Sequence, residues 1–231
     1  MRTWLLVART IIVLGGVAAV YNILYTEHLH RLATTPSTSP AASPNSDTAP
    51  SATNTSPTTS TPTQAAYALP IADFYSRITK KTFGMYITPA TSPVQPERFT
   101  GYHTGVDVEY TDTTTDVPVY AIADGEIVLS RTASGYGGVM VLRFTANGVS
   151  RTAIYGHLRP SSLTAVGTKV TKGQQIAVLG TGYTSETDGE RRHLHFAIRA
   201  DNSINILGYV QNKTDLSGWV DPINFLHNLG L

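Results

Sequence analysis

Two kinds of hydrophobic pattern run along the chain, divided by a stretch that has neither. Residues 10–25 read TIIVLGGVAAVYNILY, an uncharged apolar run of 16 that grows to 22 if residues 4–7 are counted across Arg9. A membrane-crossing helix needs roughly 20 apolar residues, so the run is just long enough to span a bilayer. After Tyr67 the pattern shortens to runs rich in Val, Ile and aromatics at 117–123, 126–130, 139–145, 150–155, 175–179 and 194–199. Turn clusters separate them: Asp124-Gly125, Gly135-Tyr136-Gly137-Gly138 and Asn147-Gly148, the last a strong two-residue hairpin signal. Helical periodicity is confined to 71–78 and to Pro222-Ile223-Asn224-Phe225-Leu226, which can start a short helix. Many short strands joined by tight turns predict an all-β domain with minor helix. The expected form is a mainly antiparallel sandwich or partly open barrel, with one sheet face floored by core and the other open as a groove.

Composition explains the stretch between the two patterns. Of the 30 residues 34–63, 23 are Ser, Thr or Pro, and Asp47 is the only charged side chain among them. Such a segment cannot bury enough apolar surface to fold and reads as an extended spacer, reaching up to ~90 Å at ~3 Å per residue. The chain therefore divides into a membrane-directed segment at 1–32, a disordered linker at 33–66 and a folded domain at 67–231. Arg2 and Arg9 precede the apolar run, so the positive-inside rule places everything after Tyr25 outside the cytoplasm. Val17-Ala18-Ala19 also suits signal peptidase. The segment is thus an uncleaved signal anchor in the cell membrane or a cleaved signal that leaves the domain secreted, and both export it.

Charge and cysteine content narrow the chemistry. Three of the 17 basic and two of the 16 acidic residues precede Tyr67, leaving 14 of each in the folded part. A neutral domain is a poor nucleic-acid binder. With no cysteine, disulfide frameworks, Cys-type zinc sites and thiol nucleophiles are excluded, so any metal must sit on His, Asp or Glu.

Of the seven histidines, His28 and His30 flank the apolar segment and His227 lies in the terminal helix, where structural or solvated roles are expected. Four remain. His193-Leu194-His195-Phe196-Ala197-Ile198 alternates cleanly, so on a strand both histidines share one face while Leu194, Phe196 and Ile198 enter the core. His103-Thr104-Gly105-Val106-Asp107 adds an imidazole and a carboxylate at a spacing of four. A straight strand would hold these two ~13 Å apart, so the chain must bend, and Gly105 is where the bend is expected. His157 ends a strand at a groove rim. Two histidines and a carboxylate make a zinc site with a fourth position open for water, and two histidines are left over for proton transfer.

In the order His103-Thr104-Gly105-Val106-Asp107, Val117-Pro118-Val119-Tyr120-Ala121, Gly135-Tyr136-Gly137-Gly138, Tyr155-Gly156-His157-Leu158, Lys172-Gly173-Gln174, Gly180-Thr181-Gly182 and His193-Leu194-His195-Phe196, the sequence resembles the lysostaphin-like (LytM-type) zinc endopeptidases. These cleave the peptide part of bacterial peptidoglycan. The resemblance implies one Zn²⁺ per chain bound by His103, Asp107 and His195, with His157 and His193 as catalytic histidines and a peptidoglycan peptide as substrate. The chain departs from the family where small residues usually precede the H-x-H strand and Glu often follows its Phe: here stand Glu190-Arg191-Arg192 and Ala197. The polar stretch 184–192 reads as an insertion that reshapes the groove wall. Tyr102, Tyr155, Tyr183 and Arg191 are candidates for substrate contact, although packing is the commoner role of a Tyr on a β-rich surface. The alternative function is that of a catalytically inactive domain of the same fold that binds or activates another wall hydrolase. A non-catalytic wall-binding module is a second rival, and a regulatory protein partner is compatible with any of the three.

Overall fold

The computed structural model describes residues 66–231. The apolar run 10–25, His28, His30 and the stretch 34–63 lie outside the described residues. Among the described residues, no helix is long and apolar enough to cross a membrane.

In chain order the strands are β1 (Tyr86–Ile87), β2 (Gly101–His103), β3 (Gly105–Glu109), β4 (Pro118–Tyr120), β5 (Gly125–Ala133), β6 (Gly137–Ala146), β7 (Val149–Leu158), β8 (Lys169–Val170), β9 (Gln175–Val178), β10 (His193–Arg199), β11 (Tyr209–Val210) and β12 (Trp219–Val220), followed by one α-helix, α1 (Pro222–Asn228). The main sheet runs β12–β10–β7–β6–β5–β8, with β3 also paired to β10; small sheets β1–β2–β11 and β4–β9 flank it, and every pairing is antiparallel. The fold is all-β with minor helix, as the turn spacing predicts.

Local chemistry accounts for the framework. Ala146 pairs with Val149 across Asn147-Gly148, both of which have positive φ (51° and 76°), the twist that suits a two-residue hairpin. Pro222 occupies the first turn of α1, and the Asp221 side chain caps it by accepting from the Ile223 N–H at 2.9 Å. Residues 71–78 form turns rather than a helix. Ile71 and Phe74 are buried in the core, and Asp73 adopts a left-handed backbone (φ 51°) that interrupts any helical run.

The core lies on one face of the main sheet, where Ile127, Met140, Leu142, Tyr155, Leu194 and Phe196 pack with Phe74 and Leu226. The opposite face is partly floored by a smaller cluster of Tyr136, Val139, Val141, Ile154, Ala197 and Trp219. The histidines of β10 alternate with Leu194 and Phe196, so they occupy that second face, beyond the edge of the small cluster.

Candidate metal centre

Strand register brings the site together. On β10, His195 pairs with Asp107 of β3 on one side and with Gly156 of β7 on the other. His103 belongs to a different sheet, opposite Tyr209 of β11. The chain leaves one sheet for the other at Thr104, and the break folds His103 back over Asp107. The bend is therefore one residue before Gly105. Glycine is needed at 105 for closeness instead, because a Cβ there would sit 2.3 Å from the Phe196 carbonyl oxygen.

His157 reaches the site through a register slip. Gly138 pairs with Leu158 and the next residue, Val139, with Gly156, so His157 is the extra residue of a β-bulge with φ of 60°. Bulges re-aim side chains, and this one lets Leu158 enter the core while His157 turns to the opposite face. Gly156 has no room for a Cβ, which would lie 2.4 Å from the Tyr136 ring. That ring packs edgewise and tilted against His195 and His157, at centroid distances of 5.6 and 5.4 Å.

Three atoms converge. His103 Nε2 lies 3.0 Å from His195 Nδ1, and Asp107 Oδ1 lies 3.2 Å from each. A tetrahedral ion with bonds of about 2.0–2.1 Å sets its donors about 3.3 Å apart, so the triangle fits zinc. Tautomers agree with this. The His103 Nδ1–H donates to the Thr82 carbonyl (3.2 Å), which can only accept, so Nε2 presents its lone pair to the triangle. These three residues are the one group among the described residues with the spacing to hold a metal ion.

The other two histidines are held in the same way. The His193 Nδ1–H donates to the Arg191 carbonyl at 2.9 Å and that of His157 to the Thr187 carbonyl at 3.3 Å, with their rings 4.2 Å apart. Each keeps an unprotonated Nε2. Burial pushes both pKa values down, that of His157 to about 3 and that of His193 well below its ordinary value, outweighing the opposing pull of Asp107. Both are neutral at pH 7. Burial alone would raise the pKa of Asp107, but the facing His193 and His103 and then Arg191 outweigh it, and its carboxyl stays well below the usual range. Asp107, His157, His193 and His195 line a cavity of about 340 Å³.

The sequence profile of peptidase family M23 matches residues 101–206. That stretch holds all five candidate histidines and carboxylates. Solved structures similar to it include LytU (25% identity over 66% of this chain and 85% of that one, TM-score 0.43). Others are a complex of SpoIIIAH and SpoIIQ (22%, 69% and 99%, 0.46) and Csd3 of Helicobacter pylori (22%, 71% and 40%, 0.40). Among curated proteins no match was found.

His103, Asp107, His157, His193 and His195, the five residues predicted from sequence, meet at this one place. Two of the four candidates for substrate contact do not reach substrate. Tyr155 is fully buried in the core, its hydroxyl accepting from the Ile122 N–H. Arg191, 2% exposed, turns inward: Nη2 donates to Asp107 Oδ2 at 2.8 Å, and Nε and Nη2 grip Glu109 at 2.5–3.1 Å. Asp107 thus offers Oδ1 to the triangle while Arg191 holds Oδ2. His227 packs its ring on Tyr75, the structural role expected of it.

Sequence reasoning missed Glu109 and Lys81. Lys81 is buried, with Nζ 2.5 Å from Glu97 and 2.9 Å from the Tyr209 hydroxyl, and its carbonyl accepts the Asp107 N–H. A Lys–Glu pair 16 residues apart leaves no pattern to read. Glu109 left one, since it stands two residues after Asp107 on the same strand face. The 184–192 stretch does form a wall of the site: Arg98 donates to Asp188 and Glu190, and Asp188 Oδ2 also accepts from the Gly135 N–H, tying three loops together.

Proposed function

We propose that the protein is a zinc-dependent endopeptidase that hydrolyses stem or cross-link peptides of bacterial peptidoglycan. His103, Asp107 and His195 would hold the ion, and His157 and His193 would move protons. The observation that carries this reading is the triangle of donor atoms at 3.0–3.2 Å beside two imidazoles whose Nδ1–H groups are held by backbone carbonyls. The M23 match and the order of the sequence landmarks support peptidoglycan as the substrate.

Zinc bound there would supply a Lewis acid and a water acidified towards a pKa of ~7. The chain supplies the rest. Neutral His193, with Nε2 3.4 Å from Asp107 Oδ2, is placed at the edge of the triangle to take a proton from an attacking water. His157, its ring tilted against that of His193 with centroids 4.2 Å apart, would donate to an oxyanion or to the leaving amine once it has taken up the proton that the water gave up. Arg191 keeps Asp107 ionised and its outer oxygen engaged. Burial of all five side chains, none more than 5% exposed, excludes bulk water from the charges. Export through the 1–32 segment, as a membrane anchor or cleaved signal, with the 33–66 linker as a tether, completes the proposal.

The test is mass spectrometry of fragments released from purified peptidoglycan by the zinc-loaded protein, beside His193→Ala and His195→Ala. The unaltered protein should generate new peptide ends, His193→Ala should retain one zinc and generate none, and His195→Ala should lose the zinc. Stoichiometric zinc in His195→Ala, or full cleavage by His193→Ala, contradicts the assignment.

A further inference from the structure

We propose that Tyr183 is a specificity-determining residue whose ring packs against the substrate's peptide strand where it leaves the metal cavity. The inference rests on the peptidase reading above and deepens it.

Five described residues other than glycine have a left-handed backbone: Asp73, Asn147, His157, Tyr183 and Asp188. Asp and Asn tolerate that conformation through their short polar side chains, whereas a bulky aromatic does not. His also occurs there more often than most residues, and His157 is aimed into the site by its bulge, which leaves Tyr183 as the one that the conformation penalises outright. At Tyr183, φ is 60° and Gly182 directly precedes it, so the turn by itself would be better served by a second glycine. Packing does not explain the tyrosine either. At 71% exposure it is the most exposed large hydrophobic side chain among the described residues, and it leaves most of its ring in water. A strained backbone whose side chain adds little to folding points to a function for that side chain.

The backbone that carries the ring is also held in place. The Tyr183 N–H donates to the Glu190 carbonyl at 2.7 Å, and the hydroxyl of fully buried Thr187 donates to the same carbonyl at 2.7 Å. Arg98 then fastens this loop to the groove through Asp188 and Glu190. Such a loop presents the ring with little ordering left to do on binding. Tyr183 stands between two cavities of about 270 Å³ each. One shares Glu190 and Arg191 with the metal cavity, and the other opens beyond Tyr183 onto Thr113 and Arg192. A peptide cut at the metal centre and extending to this side must pass the ring.

The experiment compares full-length protein with Tyr183→Gly and Tyr183→Phe. Zinc-loaded protein is assayed on soluble cross-linked peptides freed of glycan and on intact peptidoglycan, with Tm measured on each variant. Binding of the same peptides is measured in a His193→Ala background. Expected for Tyr183→Gly are an unchanged or raised Tm, a KM for the soluble peptides raised about tenfold with kcat within about twofold, and a matching loss of binding. Tyr183→Phe should stay within about twofold of the unaltered protein throughout. Unchanged KM and binding in Tyr183→Gly would overturn the inference while leaving the peptidase reading intact, as would a defect on intact peptidoglycan alone, which would assign the ring to sugar. If the unaltered protein neither binds nor cleaves the peptides, both readings fall.

Discussion

Replacing Arg191 by methionine separates what a buried cation does for the fold from what it does for the metal centre. The guanidinium is 2% exposed and reaches two carboxylates, Glu109 at 2.5–3.1 Å and Asp107 Oδ2 at 2.8 Å. Methionine fills the volume but leaves Glu109, itself 7% exposed, as a buried carboxylate without a counter-charge. Breaking one half of a buried ion pair costs ~3–5 kcal/mol. In a domain of this size each kcal/mol moves Tm by about 2–4 °C. The metal-free protein should therefore unfold on the order of 10 °C lower.

Zinc affinity should fall as well, by a different route. Without the donor on Oδ2, the Asp107 carboxylate is free to rotate away from the triangle, and losing an outer hydrogen bond to a metal ligand typically costs ~10–100-fold in affinity. The positive charge of Arg191 works in the opposite direction, since it repels a cation, so the sign of the measured change decides between orientation and charge. The double variant Arg191→Met/Glu109→Leu makes the distinction sharper. Replacing Arg191 and Glu109 together removes the Glu109 charge but leaves Asp107 without the guanidinium, so part of the lost Tm should return, while Asp107 Oδ2 still lacks its donor and zinc affinity should stay low. Thermal unfolding in chelator and zinc titration against a chromophoric chelator read the two effects separately. Zinc binding as tight as in the unaltered protein, or tighter, would refute a positioning role for Arg191, and a Tm within about 1 °C for the single variant would refute its structural one.

Other positions give shorter tests. Glu97 is held below its ordinary pKa of 4.5: burial alone would raise it, but hydrogen bonds from Lys81, the Phe99 N–H and Ser92 outweigh that. Because the folded pKa is the lower one, this stabilisation is complete above pH ~4.5 and is lost as pH falls through the folded value. Tm scans from pH 7 to 3 should show Glu97→Gln less stable at neutral pH and converging on the unaltered protein in acid; a constant difference would refute it. Gly156→Ala must displace the Tyr136 ring, which lies 2.4 Å from the new Cβ, and calorimetry should show a loss of ~1–3 kcal/mol. Gly105→Ala puts a Cβ 2.3 Å from the Phe196 carbonyl oxygen and should force β3 away from β10, weakening zinc binding together with stability. Shortening 34–63 should reduce wall cleavage in cells without changing the purified protein's rate, and equal loss in both assays would contradict the tether.

What the sequence makes legible is what alternation and turn chemistry encode. The period-two alternation that puts His193 and His195 on one face holds on β10, with Leu194 and Phe196 buried behind them, and Asn147-Gly148 closes the hairpin it predicts. The same logic, carried two residues outward, reaches Arg191 on the line of His193 and His195 and Glu109 on the line of Asp107. The network behind Asp107 was therefore readable, but a charged side chain beside a strand is assumed to face water until register places an acid opposite it. Lys81 and Glu97 had no such line to follow, because their meeting depends on how two loops fold.

The two places where alternation fails are more informative than those where it holds. A ladder of strict period two would leave His103 too far from Asp107 and would send His157 into the core. At Thr104 the chain changes sheets, and at His157 the bulge inserts one residue with φ of 60°; each break turns a histidine onto the face that His193 and His195 already occupy. An uninterrupted β-sheet presents donors from neighbouring strands in a plane, which suits a surface rather than a closed coordination shell. Converging donors on a three-dimensional triangle requires that some strand depart from its ladder. That departure is set by tertiary pairing, which is why the candidate donors could be read from spacing while the position of the bend, one residue before the glycine, could not.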